Sequence, residues 1–186
     1  MFVVDPPSSG EEREVNPYSK TLRMIIRGGR VRRFHTVPTV AEHTVGHHSF
    51  GVAWFVHLLY RGRPPVHMLI AALTHDLAEC EVGDIPAPAK RALNSEGLEQ
   101  MEGAVLSAAG IEMPDLSPEE RRILKMADCM DGMVSCIHER RLGNLYLDAV
   151  YDRFLQYVLE LKPQGLEMDL IGELQVEMKK ARRNEG

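Results

Sequence analysis

No stretch of useful length in this chain alternates apolar with polar side chains, so there is no half-buried strand from which a sheet could be built. Apolar residues recur instead at helical intervals between Gly and Pro breaks, which points to an all-α bundle of about six to seven helices. The first is expected from Pro17 to about Arg27, where Gly28-Gly29 stops it. A loop through Pro38 leads to a second, from about Val40 or Val45 to Tyr60, and Gly62 with Pro64-Pro65 then breaks the chain. A third, strongly apolar helix runs from Val66 to about Cys80, and Gly83-Asp84-Ile85-Pro86 reads as a turn. Further helices are expected at about Ala89 to Ala109, Ser117 to Arg141, Leu145 to Leu161 and Gly165 to Arg183. Of these, Ser117-Pro118-Glu119-Glu120 carries the cap and the early proline of a helix start. Residues 1–16, rich in Pro, Ser, Gly and Glu, are expected to form a flexible arm, and residues 17–186 a single domain with one core.

Composition mainly excludes. The longest strongly apolar stretch, Phe50 to Tyr60, is interrupted by His57 and is far shorter than the ~20 residues a membrane span needs. The N-terminus lacks the basic and apolar regions of a secretory signal, so a cytoplasmic location is the expectation. Cys80, Cys129 and Cys136 are an odd, scattered set, expected to be reduced thiols in the core. A net charge of −5 disfavours a general nucleic-acid partner. The charge is uneven, however: no acidic residue lies between Glu14 and Glu42, whereas Lys20, Arg23, Arg27, Arg30, Arg32 and Arg33 do. A phosphate-bearing ligand would be welcome there, though most of these cations read as a solvated face.

Chemistry concentrates in residues 75–84, where His75, Asp76, Glu79, Glu81 and Asp84 place an imidazole and four carboxylates within ten residues. His75 and Glu79 are spaced to share a helix face with the apolar Met68 and Ala72. A buried imidazole beside carboxylates is costly unless the groups pair or share a cation. Two distant residues strengthen that reading. His48 shares a stripe with Val52, Phe55 and Leu59, which turns its ring toward the core. Asp128 lies on a helix whose inward positions, such as Met126, Met130, Met133 and Ile137, are apolar, with Asp131 a weaker neighbour. A His, a His-Asp pair and a distant Asp make a reasonable nitrogen-and-oxygen ligand set for a divalent metal.

With Arg33-Phe34, His48-Ser49, His75-Asp76-x-x-Glu79, Gly83-Asp84-Ile85-Pro86 and Ala127-Asp128, the chain resembles the HD-domain metal-dependent phosphohydrolases over roughly Arg33 to Asn144. More narrowly, it is similar to bacterial 5′-deoxynucleotidases and to phage deoxynucleotide (dATP) triphosphohydrolases. The resemblance implies an HD-domain helical bundle in which His48, His75, Asp76 and Asp128 hold the metal, Mn, Co, Zn, Fe or Mg. It also places Glu79 and Asp84 near the attacked phosphate and has Arg33 grip it. Asp84 is the candidate to orient or deprotonate water, and Glu79 a general acid or a group that orients a ligand; their roles are interchangeable. Phe34 is a candidate base contact, Lys90 a candidate phosphate contact, and His35 a possible substrate contact. One departure stands out: where the subgroup has Glu-His-Ser, this chain has His47-His48-Ser49, while Glu42-His43-Thr44 offers another register. Separation from Arg33 and the apolar run after Ser49 favour His48.

The expected function is release of phosphate from a 5′-deoxynucleoside monophosphate. The alternatives are a phage-type triphosphohydrolase releasing tripolyphosphate, in the host cytoplasm if phage-encoded, and a non-catalytic metal- or nucleotide-binding sensor. Exposed apolar helix faces and compact relatives suggest a homo-oligomer, a dimer or hexamer, with no membrane and no stable nucleic-acid partner.

Overall fold

The computed structural model describes residues 16, 18–93 and 95–183; the expected N-terminal arm, but for Asn16, lies outside them. Among the described residues the architecture is wholly helical, with a single isolated bridge between Arg32 and Thr44. Seven helices have nine or more residues: α1 (Tyr18–Gly28), α2 (Val45–Leu59), α3 (Val66–Thr74), α6 (Ser95–Ala108), α7 (Pro118–Arg141), α8 (Asp148–Glu160) and α9 (Leu166–Arg183). Two shorter ones, α4 (Glu79–Val82) and α5 (Ala87–Ala92), lie between α3 and α6. No described helix is long and apolar enough to cross a membrane.

The 24-residue α7 is the spine, packing against α2, α3, α8 and α9. Its start is fixed by a capping box: the Ser117 hydroxyl accepts from the Glu120 N–H, and the Glu120 carboxylate accepts from the Ser117 N–H. Along its length Met126, Met130, Met133, Cys136 and Ile137 are buried against Leu147, Tyr151 and Val158 of the α8 region and Ile171, Met178 and Ala181 of α9. Unbranched methionines suit such a core because they fill irregular gaps where several helices meet at different angles. On the other side of α7, Ala127 meets Val52 and Val56 of α2 and Met68, Ala71 and Ala72 of α3. A smaller cluster of Met24, Leu77, Ala78, Leu106 and Ala109 joins α1 and α6 to the α3–α4 connection.

Two expected helices are broken. The third does not reach Cys80: α3 ends at Thr74, and Leu77, Glu79 and Cys80 donate to the carbonyls of Thr74, Asp76 and Leu77, three residues back rather than four. The tightened turns carry His75 and Asp76 off the helix, so His75 and Glu79 do not share one continuous helix face as their spacing suggests. The expected helix from Ala89 to Ala109 is likewise two, α5 and α6, with Leu93 extended at the break. The α7–α8 connection is also longer than expected, α8 beginning at Asp148 rather than Leu145.

The loop before α2 is tied down by a buried charge. The carboxylate of Glu139, fully buried, accepts from the Val40 N–H at 2.8 Å, the Ala41 N–H at 2.8 Å, His43 Nε2 at 2.8 Å and Asn144 Nδ2 at 2.6 Å. Burial opposes the charge, but these donors outweigh it and hold the Glu139 carboxyl down to about 2. Replacing Glu139 by Gln sets an amide N–H₂ against the donors of that loop and is expected to cost about 3 kcal/mol at neutral pH. The folded-state pKa lies below the ordinary value of about 4.3, so the charged form stabilises the fold above that value and its contribution is lost as pH falls toward about 2. Urea unfolding of Glu139→Gln and wild type should therefore show a stability gap that narrows across that window; a gap independent of pH there would contradict the role of the charge.

Candidate metal and phosphate site

Three helical elements bring the site together. His48 sits in the first turns of α2, whose start is capped by the Thr44 hydroxyl accepting from the His47 N–H. His75 and Asp76 follow the end of α3, and Asp128 and Asp131 lie one turn apart on α7. His48 Nε2 lies 3.2 Å from His75 Nε2, 3.4 Å from Asp76 Oδ2 and 3.2 Å from Asp128 Oδ1. One ligand atom each of His48, His75 and Asp76 fall within 4.8 Å of one another, a grouping that could hold a metal ion.

What the far edges of the rings do decides what the near edges can do. His75 Nδ1 is 2.9 Å from the Ala72 carbonyl oxygen, which only accepts, so Nδ1 carries the proton. His48 Nδ1 is 2.7 Å from Asp131 Oδ2 and donates to that carboxylate. In the neutral rings both Nε2 atoms therefore present lone pairs, and these face each other at 3.2 Å. That arrangement repels unless positive charge enters between them. The electrostatics agree. Burial opposes a charged His48, yet Asp128, Asp131 and Asp76 outweigh it and push its pKa up to about 10. Burial also opposes charge on Asp76 and Asp128, but the imidazoles, with Arg33 beside Asp76 and Lys125 beside Asp128, hold both carboxyls well below the usual range. The donor set, two imidazole nitrogens with carboxylate oxygens, suits a divalent ion such as Mn, Co, Fe or Zn.

The other candidates surround this cluster. Arg33, its side chain 12% exposed, brings Nη2 to 3.9 Å from Asp128 Oδ1. It is the one half-buried member of the six-cation run; the other five are exposed. Its backbone N–H donates to the His43 carbonyl at 2.9 Å, and the Arg32–Thr44 bridge lies beside it, so the segment is anchored to the entry of α2. Phe34 follows at a positive φ of 56°, unusual for a non-glycine residue, with its ring edge-to-face with His43 at 5.4 Å. Glu79 is buried, its Oε2 without a hydrogen-bond partner among the described residues, and Oε1 is 3.4 Å from Lys90 Nζ. Burial, then the charges of Asp76 and Asp84, push the Glu79 carboxyl up to about 8 against the pull of Lys90. Lys90 is also 4.0 Å from Glu102 of α6. Asp84 follows Gly83, whose φ of 79° makes the turn, and its Oδ2 lies 3.5 Å from His35 Nδ1. A cavity of about 80 Å³ beside His48 is lined by Arg33, Phe34, His43, Thr44, His47, Asp131 and Ser135. It has room for a phosphate-sized group but not for a drug-sized ligand, whose pockets run to ~300 Å³ or more.

The structure brings His48, and not His43, to His75 and Asp76. His43 is committed to Glu139, and His47 is exposed. Four participants were not legible as such in the sequence. Asp131, read as a weak neighbour, is the group that orients His48. Gly51 makes this possible, since a Cβ there would lie 1.8 Å from Asp131 Oδ1. Lys125 Nζ lies 2.6 Å from Asp128 Oδ2 and Glu102 faces Lys90; the three-residue step from Lys125 to Asp128 on one helix was the available signal for the first.

No protein-family model matches the chain. Its sequence is similar to the 5′-deoxynucleotidase YfbR of Salmonella arizonae, 26% identical over 140 residues, which span 61% of this chain and 69% of that protein. Among solved structures, an HD-domain phosphohydrolase of Listeria innocua superposes with a TM-score of 0.68 at 20% identity, covering 89% of this chain and 92% of the other. The HD phosphohydrolase DatZ of cyanophage S-2L, bound to dA and one catalytic Zn²⁺ ion, gives 0.61 at 20% identity, covering 85% and 96%. A Pyrococcus horikoshii protein gives 0.62 at 24%, covering 86% and 97%. The chain resembles the HD-domain phosphohydrolases in sequence and carries their helical fold.

Proposed function

We propose that this protein is a metal-dependent phosphohydrolase acting on deoxynucleotides, releasing phosphate from 5′-deoxynucleoside monophosphates. The observation that carries the reading is the pair of imidazole Nε2 atoms 3.2 Å apart beside two carboxylates, with an arginine at 3.9 Å from one of them. In this reading His48, His75, Asp76 and Asp128 hold the ion and residues 17–186 act as one domain. The likeness to YfbR, a 5′-deoxynucleotidase, and to DatZ, an HD phosphohydrolase bound to dA, favours a deoxynucleotide substrate.

A bound divalent ion supplies a lowered water pKa and polarises a phosphoryl oxygen. The residues of the chain supply position and protons. Arg33, held by its backbone contact to His43, grips two phosphate oxygens through its planar fork and stabilises charge as the bond breaks. Asp84 orients the attacking water and takes its proton. As the new P–O bond forms and the bond to the 5′-oxygen breaks, Glu79 hands its proton to that oxygen; a pKa near 8 keeps it protonated at neutral pH. Lys90 contacts a phosphate oxygen, and Phe34, which lines the small cavity beside His48, is a candidate base contact. A second reading on the same residues, a triphosphohydrolase releasing tripolyphosphate, rests on the resemblance of the motifs to phage deoxynucleotide triphosphohydrolases.

Metal-stripped protein incubated with dNMPs and dNTPs, with Mn, Co, Zn or Mg added back, should release orthophosphate from the monophosphates. Tripolyphosphate would select the second reading, and no release with any metal would leave a sensor. His75→Ala should lower release about a hundredfold or more. Arg33→Lys, which keeps charge but loses the fork, should lower kcat/KM about tenfold. The outward faces of α2 and α3 expose Phe50, Trp54, Leu58, Val66, Ile70 and Leu73, and neither helix carries an Asp, Glu, Lys or Arg. A homo-oligomer covering these faces is expected, and light scattering should give a mass above the 20.9 kDa of one chain.

A further inference from the structure

The two oxygens of Asp128 have different partners. Oδ1 is turned to the ligand cluster, 3.2 Å from His48 Nε2 and 3.9 Å from Arg33 Nη2. Oδ2 is turned away and held at 2.6 Å by Lys125 Nζ, one turn earlier on α7. Lys125 is itself placed, its ammonium 5.7 Å from the centre of the Tyr157 ring of α8 and its side chain about half exposed. The Asp128 carboxylate is largely buried, 14% exposed. Without Lys125, Oδ2 would keep a charge in that setting with no partner on its side, since His48 at 3.2 Å and Arg33 at 3.9 Å both face Oδ1. A carboxylate freed in this way is no longer fixed about its Cβ–Cγ bond, and which oxygen it offers to the cluster is no longer set by a partner at its back.

Resting on the metal-site reading above, we propose that Lys125 is a positioning residue. By holding Asp128 Oδ2 it fixes Oδ1 toward His48 and leaves Arg33 available for phosphate. Lys125 offers no ligand of its own and touches no substrate; it acts through Asp128, as outer hydrogen-bond partners orient metal ligands elsewhere. The same geometry separates two cations that the sequence alone does not distinguish: Arg33 points at the cluster side of Asp128, and Lys125 at its back.

The test is Mn²⁺ affinity, read by calorimetry and by the EPR signal of free Mn²⁺, on metal-stripped wild type, Lys125→Met, Lys125→Gln, Lys125→Arg and His75→Ala, each with its thermal unfolding curve. Lys125→Met is expected to bind Mn²⁺ about tenfold more weakly, and Lys125→Arg, which restores a cationic donor, to bind within about threefold of wild type. Lys125→Gln, which keeps a donor, stands in if the Met variant does not fold, and is expected between the two. A folded Met or Gln variant that binds as tightly as wild type or tighter overturns the proposal. So does a weakening that Lys125→Arg fails to recover. Wild type binding no better than His75→Ala instead overturns the metal-site reading, and the role of Lys125 falls with it.

Discussion

His75 Nδ1 donates to the Ala72 carbonyl and His48 Nδ1 to the Asp131 carboxylate, and these two hydrogen bonds determine what the opposite edges of both rings present. Each bond fixes a tautomer and a ring orientation, and the outcome is two Nε2 lone pairs 3.2 Å apart with carboxylate oxygens on their flanks. Such a cluster is stable only with added positive charge. A proton at His48, whose pKa is driven to about 10, supplies one unit of it; a divalent cation supplies two and engages every ligand at once. The rest of the fold serves to keep these atoms where they are. α7 carries Asp128 and Asp131 on a helix anchored by a capping box at one end and a methionine-rich core along its length. α2 approaches α7 closely enough for His48 to meet Asp131 because residue 51 has no side chain.

Around that rigid centre the phosphate-facing groups sit on less regular backbone. Arg33 and Phe34 belong to a loop pinned by the buried Glu139 carboxylate through Val40, Ala41 and His43. Glu79 and Asp84 follow the point where α3 gives way to tight turns. Helices α2 and α7 thus hold His48, Asp128 and Asp131, while the tight turns after α3 and the loop before α2, which can place side chains off helical registers, hold His75, Asp76 and Arg33. Charge is sorted in the same way. Asp76 and Asp128 are kept ionised by neighbouring cations, whereas Glu79, a few residues away, is kept protonated by burial and by Asp76 and Asp84. Environments that push neighbouring carboxyls apart in pKa are what a site needs when one must bind a cation and another must give a proton.

Much of this was legible in the sequence because it rests on local pattern. The apolar stripe that turns His48 inward and the helix start at Ser117 follow from side-chain spacing, the distinction of Arg33 among the exposed cations follows from the family resemblance, and the structure has each of them. The break after Thr74 was not legible, because residues 66–80 have no Gly or Pro to announce it; only the i→i+3 bonding after Thr74 shows that the chain leaves the helix just where His75 and Asp76 must turn into the site. Nor were Asp131, Gly51 and Lys125, whose importance lies in a contact between helices or in which oxygen of Asp128 each neighbour meets. Spacing within a helix names residues on a face; it does not say what stands opposite.

The central claim is that His48, His75 and Asp76 converge on one cation. A crystal grown with Mn²⁺ and measured on both sides of the manganese absorption edge tests it directly. The account predicts one strong anomalous peak within about 2.2 Å of both Nε2 atoms and of an Asp76 oxygen, with Asp128 Oδ1 turned toward it. A cluster with no peak, its two Nε2 atoms still in contact, would contradict it.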